Sequence, residues 1–167
     1  MYSEKFEKAI EYVLANEGCY VFDKNDPGGE TKYGISQRAY PTLNIRALTL
    51  DEAKEIYHRD YWLKCKIDQI ANDIIATKLF DLSVNFGVNI ATIIAQRALR
   101  SCDKNVTEDG IIGPQTISAI NETNAQCLFV AIKSEAAGYY RLVAAKKPQQ
   151  QKFLKGWLNR AYKQIIL

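Results

Sequence analysis

The sequence predicts a mainly α fold with one small β-hairpin or ordered loop directly after the first helix. Three observations lead to it. Apolar residues recur at steps of three and four through most of the chain, the spacing that lines one face of a helix. Glycine or proline punctuates the ends of those windows, at Gly18, Gly87, Gly113-Pro114 and Pro148. Residues with β preference gather in one place, Tyr20-Val21-Phe22 and Thr31-Lys32-Tyr33-Gly34-Ile35, on either side of the turn signal Asp26-Pro27-Gly28-Gly29.

Residues 3–17 read as an amphipathic helix. Ser3 is its N-cap, and Glu4 sits in the first turn, where the helix dipole favours an acid. Phe6, Ile10, Val13 and Glu17 follow steps of four, three and four, so they share a face, and Gly18 is the C-terminal cap. Thr49-Leu50-Asp51-Glu52 is a capping box for a helix running to about Tyr61. Residues 72–86 form the next helix, with Ile75, Leu79, Leu82 and Phe86 on one stripe and Gly87 ending it. Another spans about 89–100. Asp109-Gly110 is a turn, and Gly113-Pro114 opens a helix with proline near its first position. A long helix covers 123–146, Pro148 breaks it, and 150–164 reads as the last helix. The stretch 101–113 is the one weak boundary and does not by itself separate two domains.

The bulk properties fit one compact unit of 167 residues, 47% hydrophobic and 25% charged. A net charge of +3 suits attraction to an anionic polymer such as a cell wall. It is too weak to indicate nucleic acid, and no basic run interleaves with aromatics as a single-strand groove requires. Cys19, Cys65, Cys102 and Cys127 are widely spaced without a CxxC, and His58 is the lone histidine, so no metal site is expected. The cysteines read as reduced, small, buried residues. Met1-Tyr2-Ser3-Glu4-Lys5-Phe6-Glu7 lacks the apolar core of a signal peptide, and no apolar stretch approaches membrane-spanning length. The expectation is synthesis in the cytoplasm without stable membrane insertion, with another component releasing the protein to any substrate outside.

Glu17 carries the chemistry. It continues an apolar stripe, so its carboxyl faces the interior or a cleft, and it ends a helix, where the dipole is negative. Both effects disfavour the charged form and raise the carboxyl pKa, which is what a general acid needs near neutral pH. The loop that follows holds Asp23, Asp26, Glu30 and Thr31. Two polar groups across a cleft are the usual equipment for glycoside hydrolysis: one protonates the leaving oxygen, the other assists water or stabilises the oxocarbenium-like transition state. A helix-ending, solvated Glu17 is the structural alternative. His58 has no serine or cysteine motif beside it, Cys19 has no base, and Asp109-Gly110 lacks the ligand spacing of a calcium loop.

The run Glu17-Gly18-Cys19-Tyr20-Val21 through Asp26-Pro27-Gly28-Gly29-Glu30-Thr31-Lys32-Tyr33-Gly34-Ile35-Ser36 resembles the signature of glycoside hydrolase family 108, EGGYV…DPGGxTxxGIS. The resemblance continues in order through Leu48–Ala53, Asp60-Tyr61-Trp62, Leu79–Gly87, Gln96–Leu99, Asp109–Thr116 and Gly156–Arg160. It implies a mainly α, lysozyme-like helical fold. A catalytic lobe over 1–93 and a peptidoglycan-binding helical lobe over 94–167 would pack as one compact unit. It also implies an N-acetylmuramidase that cleaves the β-1,4 bond between N-acetylmuramic acid and N-acetylglucosamine. Such enzymes serve phage lysis or protein secretion across the cell wall, with a holin or secretion-locus pore for release and action in the periplasm or wall. The family's catalytic glutamate falls on Glu17. Cys19 departs from the pattern, which has glycine there.

Eight residues separate Glu17 from Asp26, similar to the spacing in some phage lysozymes. Thr31 follows Asp26 with four between, one short of that pattern. Asp26 and Thr31 are therefore the candidates for holding the attacking water, and Asp26 reads equally as a turn residue before Pro27. Asn85, Tyr139 and Tyr140 are the candidate substrate-binding residues, since aromatic faces suit sugar rings, while Trp157 reads as core. No cofactor is expected, and the chain is expected to be a monomer whose partner is peptidoglycan. Two other readings stay open: a lytic transglycosylase using the same glutamate, and a non-catalytic wall-binding secretion accessory.

Overall fold

The computed structural model of the chain describes residues 2–16 and 30–166. Helix α1 (Glu4–Asn16) starts on Ser3, whose Oγ accepts from the Phe6 amide at 3.2 Å. Phe6, Ala9, Ile10 and Val13 form its buried face, as the periodicity requires. Glu17, Gly18, Cys19 and Asp26 lie outside the described residues.

A short antiparallel hairpin pairs β1 (Thr31–Lys32) with β2 (Ile35–Ser36), Thr31 opposite Ser36 and Lys32 opposite Ile35. The sequence pattern treats 31–35 as one extended arm; the chain instead reverses at Tyr33-Gly34. Both residues take positive φ, 52° and 77°, the two-residue turn whose twist matches antiparallel strands. Gly34 adopts this freely. Tyr33 is held there by the Tyr57 hydroxyl, which donates to the Tyr33 carbonyl at 2.7 Å.

Thr49 caps α2 (Leu50–Tyr57). The Glu52 amide donates to Thr49 Oγ1 at 3.2 Å, and Glu52 Oε2 accepts from the Thr49 amide at 2.7 Å. Thr49→Ala removes one side of this box and should lower unfolding stability by about 1 kcal/mol. Urea midpoints of Thr49→Ala and Thr49→Ser check this, the serine variant keeping most of the stability. The helix does not continue regularly to Tyr61. From His58 to Trp62 the chain makes a π-helical turn, which fits one extra residue into the winding. Trp62 is thereby fully buried, edge-on to both Phe6 and Phe80 with ring centroids 5.2 Å from each.

Helix α3 (Asp73–Phe86) is the centre of the molecule. Asn72 caps it, its Oδ1 accepting from the Ile74 and Ile75 amides at 3.1 Å. Every residue from Ile75 to Ser83 is buried, so α3 is enclosed on all faces rather than along one stripe. Helices α1, α4 (Val88–Ser101) and α6 (Ala125–Lys146) pack around it. Gly87, with φ 85°, separates α3 from α4. Helix α4 ends in a Schellman arrangement: Asp103 takes φ 60°, and the Lys104 amide returns to the Leu99 carbonyl at 3.0 Å.

Gln96 is 1% exposed and fastens the 109–111 turn to α4. Its Nε2 donates to Asp109 Oδ1 at 2.8 Å, and its Oε1 accepts from the Gly110 amide at 3.0 Å. Helix α5 (Pro114–Glu122) opens on Pro114, and α6 is capped by Asn124. After Pro148 a 3-10 turn (Pro148–Phe153) precedes α7 (Leu154–Tyr162), so the last regular helix starts four residues later than the pattern suggests. Of the cysteines, Cys65 is buried as expected. Cys102 is half-buried and Cys127 is exposed, because they lie at helix ends rather than on core-facing stripes. Among the described residues no helix is long and apolar enough to cross a membrane.

Candidate active site

The C-terminal end of α1 is held by the C-terminal end of the chain. Lys163, one residue past α7, donates through Nζ to Asn16 Oδ1 at 2.5 Å and sits 5.3 Å over the Tyr12 ring. Tyr12 and Asn16 lie one turn apart, so a single lysine grips two residues of the final described turn of α1. Burial, then the nearby Asp81 carboxylate, push the Tyr12 hydroxyl above its ordinary pKa. The hydroxyl is buried, and the Asn16 side chain beside it opposes the shift.

Behind this contact lies a charged group inside the core. Asp81 and Lys78 on α3 are both fully buried. Arg160 on α7 reaches Asp81 Oδ1 with Nη2 at 2.9 Å and Nε at 3.2 Å. Lys78 Nζ lies 3.7 Å from Asp81 Oδ2 and donates to the Arg160 carbonyl at 3.0 Å. Burial lowers the Lys78 pKa, and Asp81 opposes that. Removing one partner from such a buried group is costly, because the charge left behind has lost its compensation.

The group opens outward through Asn85. With its amide oriented to satisfy its neighbours, Asn85 donates to the Tyr140 hydroxyl at 3.0 Å and accepts from Arg160 Nη1 at 2.8 Å. Asn85 itself is exposed. Tyr140 on α6 is 3% exposed, stacked on Trp157 at 5.3 Å and tilted against Phe86 at 4.6 Å. The ring is enclosed on both faces, and its hydroxyl meets Asn85. Tyr139 is half-buried and meets Phe86 edge-on at 4.8 Å; it keeps a surface that Tyr140 lacks.

Thr31 is half-buried on β1, and among the described residues no hydrogen bond or ion pair joins it to the Asn85 group. The structure thus brings together Asn85, Tyr139 and Tyr140, while Glu17 and Asp26 lie outside the described residues. Sequence reasoning missed Lys78, Asp81, Arg160 and Lys163. One signal was available: Lys78 and Asp81 are the only charges between Ile74 and Phe86, in a stretch that is otherwise uncharged and mostly apolar. Arg160 lies 79 residues from Asp81, and nothing local announces it. No group of three or more His, Cys, Asp or Glu side chains suited to a metal ion occurs among the described residues.

Residues 10–87 match the family model for glycosyl hydrolase 108. That region belongs to glycosyl hydrolase family 108. A second model, described as a predicted peptidoglycan domain, matches residues 90–162. Among solved structures the chain is similar to SagA of Brucella abortus, with 26% identity over 93% of this chain and 88% of that one and a TM-score of 0.77. No curated protein matches the sequence at a significant level. The chain is a glycoside hydrolase that acts on peptidoglycan. Its two matched regions meet in the group just described: Asn16, Asp81 and Asn85 come from the first, Tyr140, Trp157 and Arg160 from the second.

Proposed function

We propose that the chain is an N-acetylmuramidase that hydrolyses the β-1,4 bond between N-acetylmuramic acid and N-acetylglucosamine. What supports this reading is the family 108 match beginning within α1, whose final described turn is held by Lys163, three residues after the Arg160 that bonds Asn85. In the proposal Glu17 follows that turn as general acid and protonates the glycosidic oxygen. A water held by Asp26 or Thr31 attacks the anomeric carbon. Asn85 and Tyr139 bind the glycan, and Tyr140 positions Asn85. Residues 1–93 supply the chemistry and 94–167 the grip on the wall, within one compact monomer. Release through a holin or a secretion-locus pore, to act in the periplasm or wall, completes the reading for either lysis or secretion.

The test is digestion of purified peptidoglycan, with mass spectrometry of the soluble products. Muropeptides ending in reducing N-acetylmuramic acid are expected. Ends that are 1,6-anhydro would replace hydrolysis with transglycosylation, in which the muramic acid's own hydroxyl attacks. Products with reducing N-acetylglucosamine would move the cleaved bond. Binding without any product would make the chain a wall-binding accessory.

A further inference from the structure

Two thiols outside the catalytic group face each other at the surface. Cys102 Sγ and Cys127 Sγ are 3.2 Å apart, though 25 residues separate them in sequence. Each is fixed by its own helix cap. Cys102 is the C-cap of α4, held by its amide to the Leu99 carbonyl at 2.9 Å and followed by the left-handed Asp103. Cys127 is the third residue of α6, and its amide donates to Asn124 Oδ1 at 3.0 Å. The two caps fix the backbone that carries each sulfur. A disulfide needs them about 1 Å closer, which side-chain rotation supplies. Cys65 is different: it is 2% exposed, burial pushes its thiol up to about 11, and no second sulfur lies beside it among the described residues.

We propose that Cys102 and Cys127 are a disulfide-forming site, oxidised in an oxidising compartment by a small-molecule disulfide or a dithiol–disulfide exchange protein. The exposed Cys127 thiolate attacks one sulfur of the oxidant, whose S–S bond breaks and releases one thiol. Cys102 then gives up its proton and attacks Cys127 Sγ, and the second thiol leaves. The protein loses two protons and two electrons, and the oxidant gains them. Burial pushes the Cys102 thiol up to about 11, which suits the resolving partner rather than the first attacker. The bond would fasten the end of α4 to the start of α6 across α5, stapling the peptidoglycan-matched region and restricting its unfolded chain.

The experiment incubates the purified full chain with oxidised glutathione, alkylates the remaining thiols and maps the peptides. A Cys102–Cys127 linked peptide is expected, with the other two cysteines alkylated. The oxidised protein should melt roughly 5–15 °C above the reduced one. Cys127→Ser and Cys102→Ala should each melt at the same temperature with and without oxidant. Four alkylated cysteines, a linkage involving Cys19 or Cys65, or glutathione retained on Cys127 would each overturn the proposal. The wild-type peptide map decides the matter even where a variant folds poorly.

Discussion

Glu17→Gln is expected to lower the rate of muropeptide release by roughly 10²–10⁴-fold, the range for losing a positioned general acid. Glutamine keeps the size and hydrogen-bonding reach of the side chain but has no proton to give to the leaving oxygen. Wall binding should survive, because the contacts proposed for the glycan and the wall lie in Asn85, Tyr139 and the region from residue 94 onward. The measurement pairs turbidity loss of purified peptidoglycan with a pull-down on the same insoluble material. Clearing at wild-type rate by the variant would remove Glu17 from the mechanism. Loss of binding together with loss of clearing would show that the substitution had disturbed more than the acid. Asp26→Asn and Thr31→Ala, measured in the same assay, then show which of them holds the water.

The second large effect lies in the core. Asp81→Leu leaves Lys78 fully buried with its countercharge gone, and should cost about 3–5 kcal/mol of unfolding stability. Burial already holds the Lys78 ammonium below its ordinary pKa, and Asp81 is what opposes that shift. Without Asp81 the shift deepens. The unfolded chain then binds more protons than the folded one, so the variant gains stability as pH rises. Its deficit against wild type should therefore be smaller near pH 10 than near pH 6. Adding Lys78→Met should recover part of the loss, since the two apolar side chains need no countercharge, while Arg160 keeps Asn85 but not Asp81. A deficit for Asp81→Leu within about 1 kcal/mol of wild type, in the range of an exposed ion pair, would mean the Lys78–Asp81–Arg160 group does not hold the helices together. Urea titrations at the two pH values provide all of these numbers.

Much of the helical framework can be read along the chain, because its signals are local. Ser3, Thr49, Asn72 and Asn124 each cap the helix that follows by bonding amides within three residues, and such short-range chemistry is written in the sequence itself. The hairpin was harder. A glycine-rich turn at 26–29 outweighs Tyr33-Gly34 on composition, yet the reversal at Tyr33 depends on Tyr57, 24 residues away. The π-helical turn at His58–Trp62 has no composition of its own; it is set by how Trp62 must enter the space between Phe6 and Phe80. The candidate site divides in the same way. Asn85 and Tyr139 stand out by residue type. Arg160 and Lys163 acquire meaning only once α7 has packed beside α1 and α3.

The enclosure of α3 bears on how freely this architecture can be recombined. By family match α3 belongs to the glycosyl hydrolase region, yet it packs against α4 and α6 of the peptidoglycan-matched region, and the buried residues of both form one continuous cluster. A gene cut between residues 87 and 90 would therefore separate two functions in name and half a core in fact. Each fragment would expose an apolar face that only the other can cover. The peptidoglycan-matched half is then not a cassette to be moved onto another enzyme. Its fold is tied to that of the glycosyl hydrolase half, and substitutions along α3 are answerable to both partners at once.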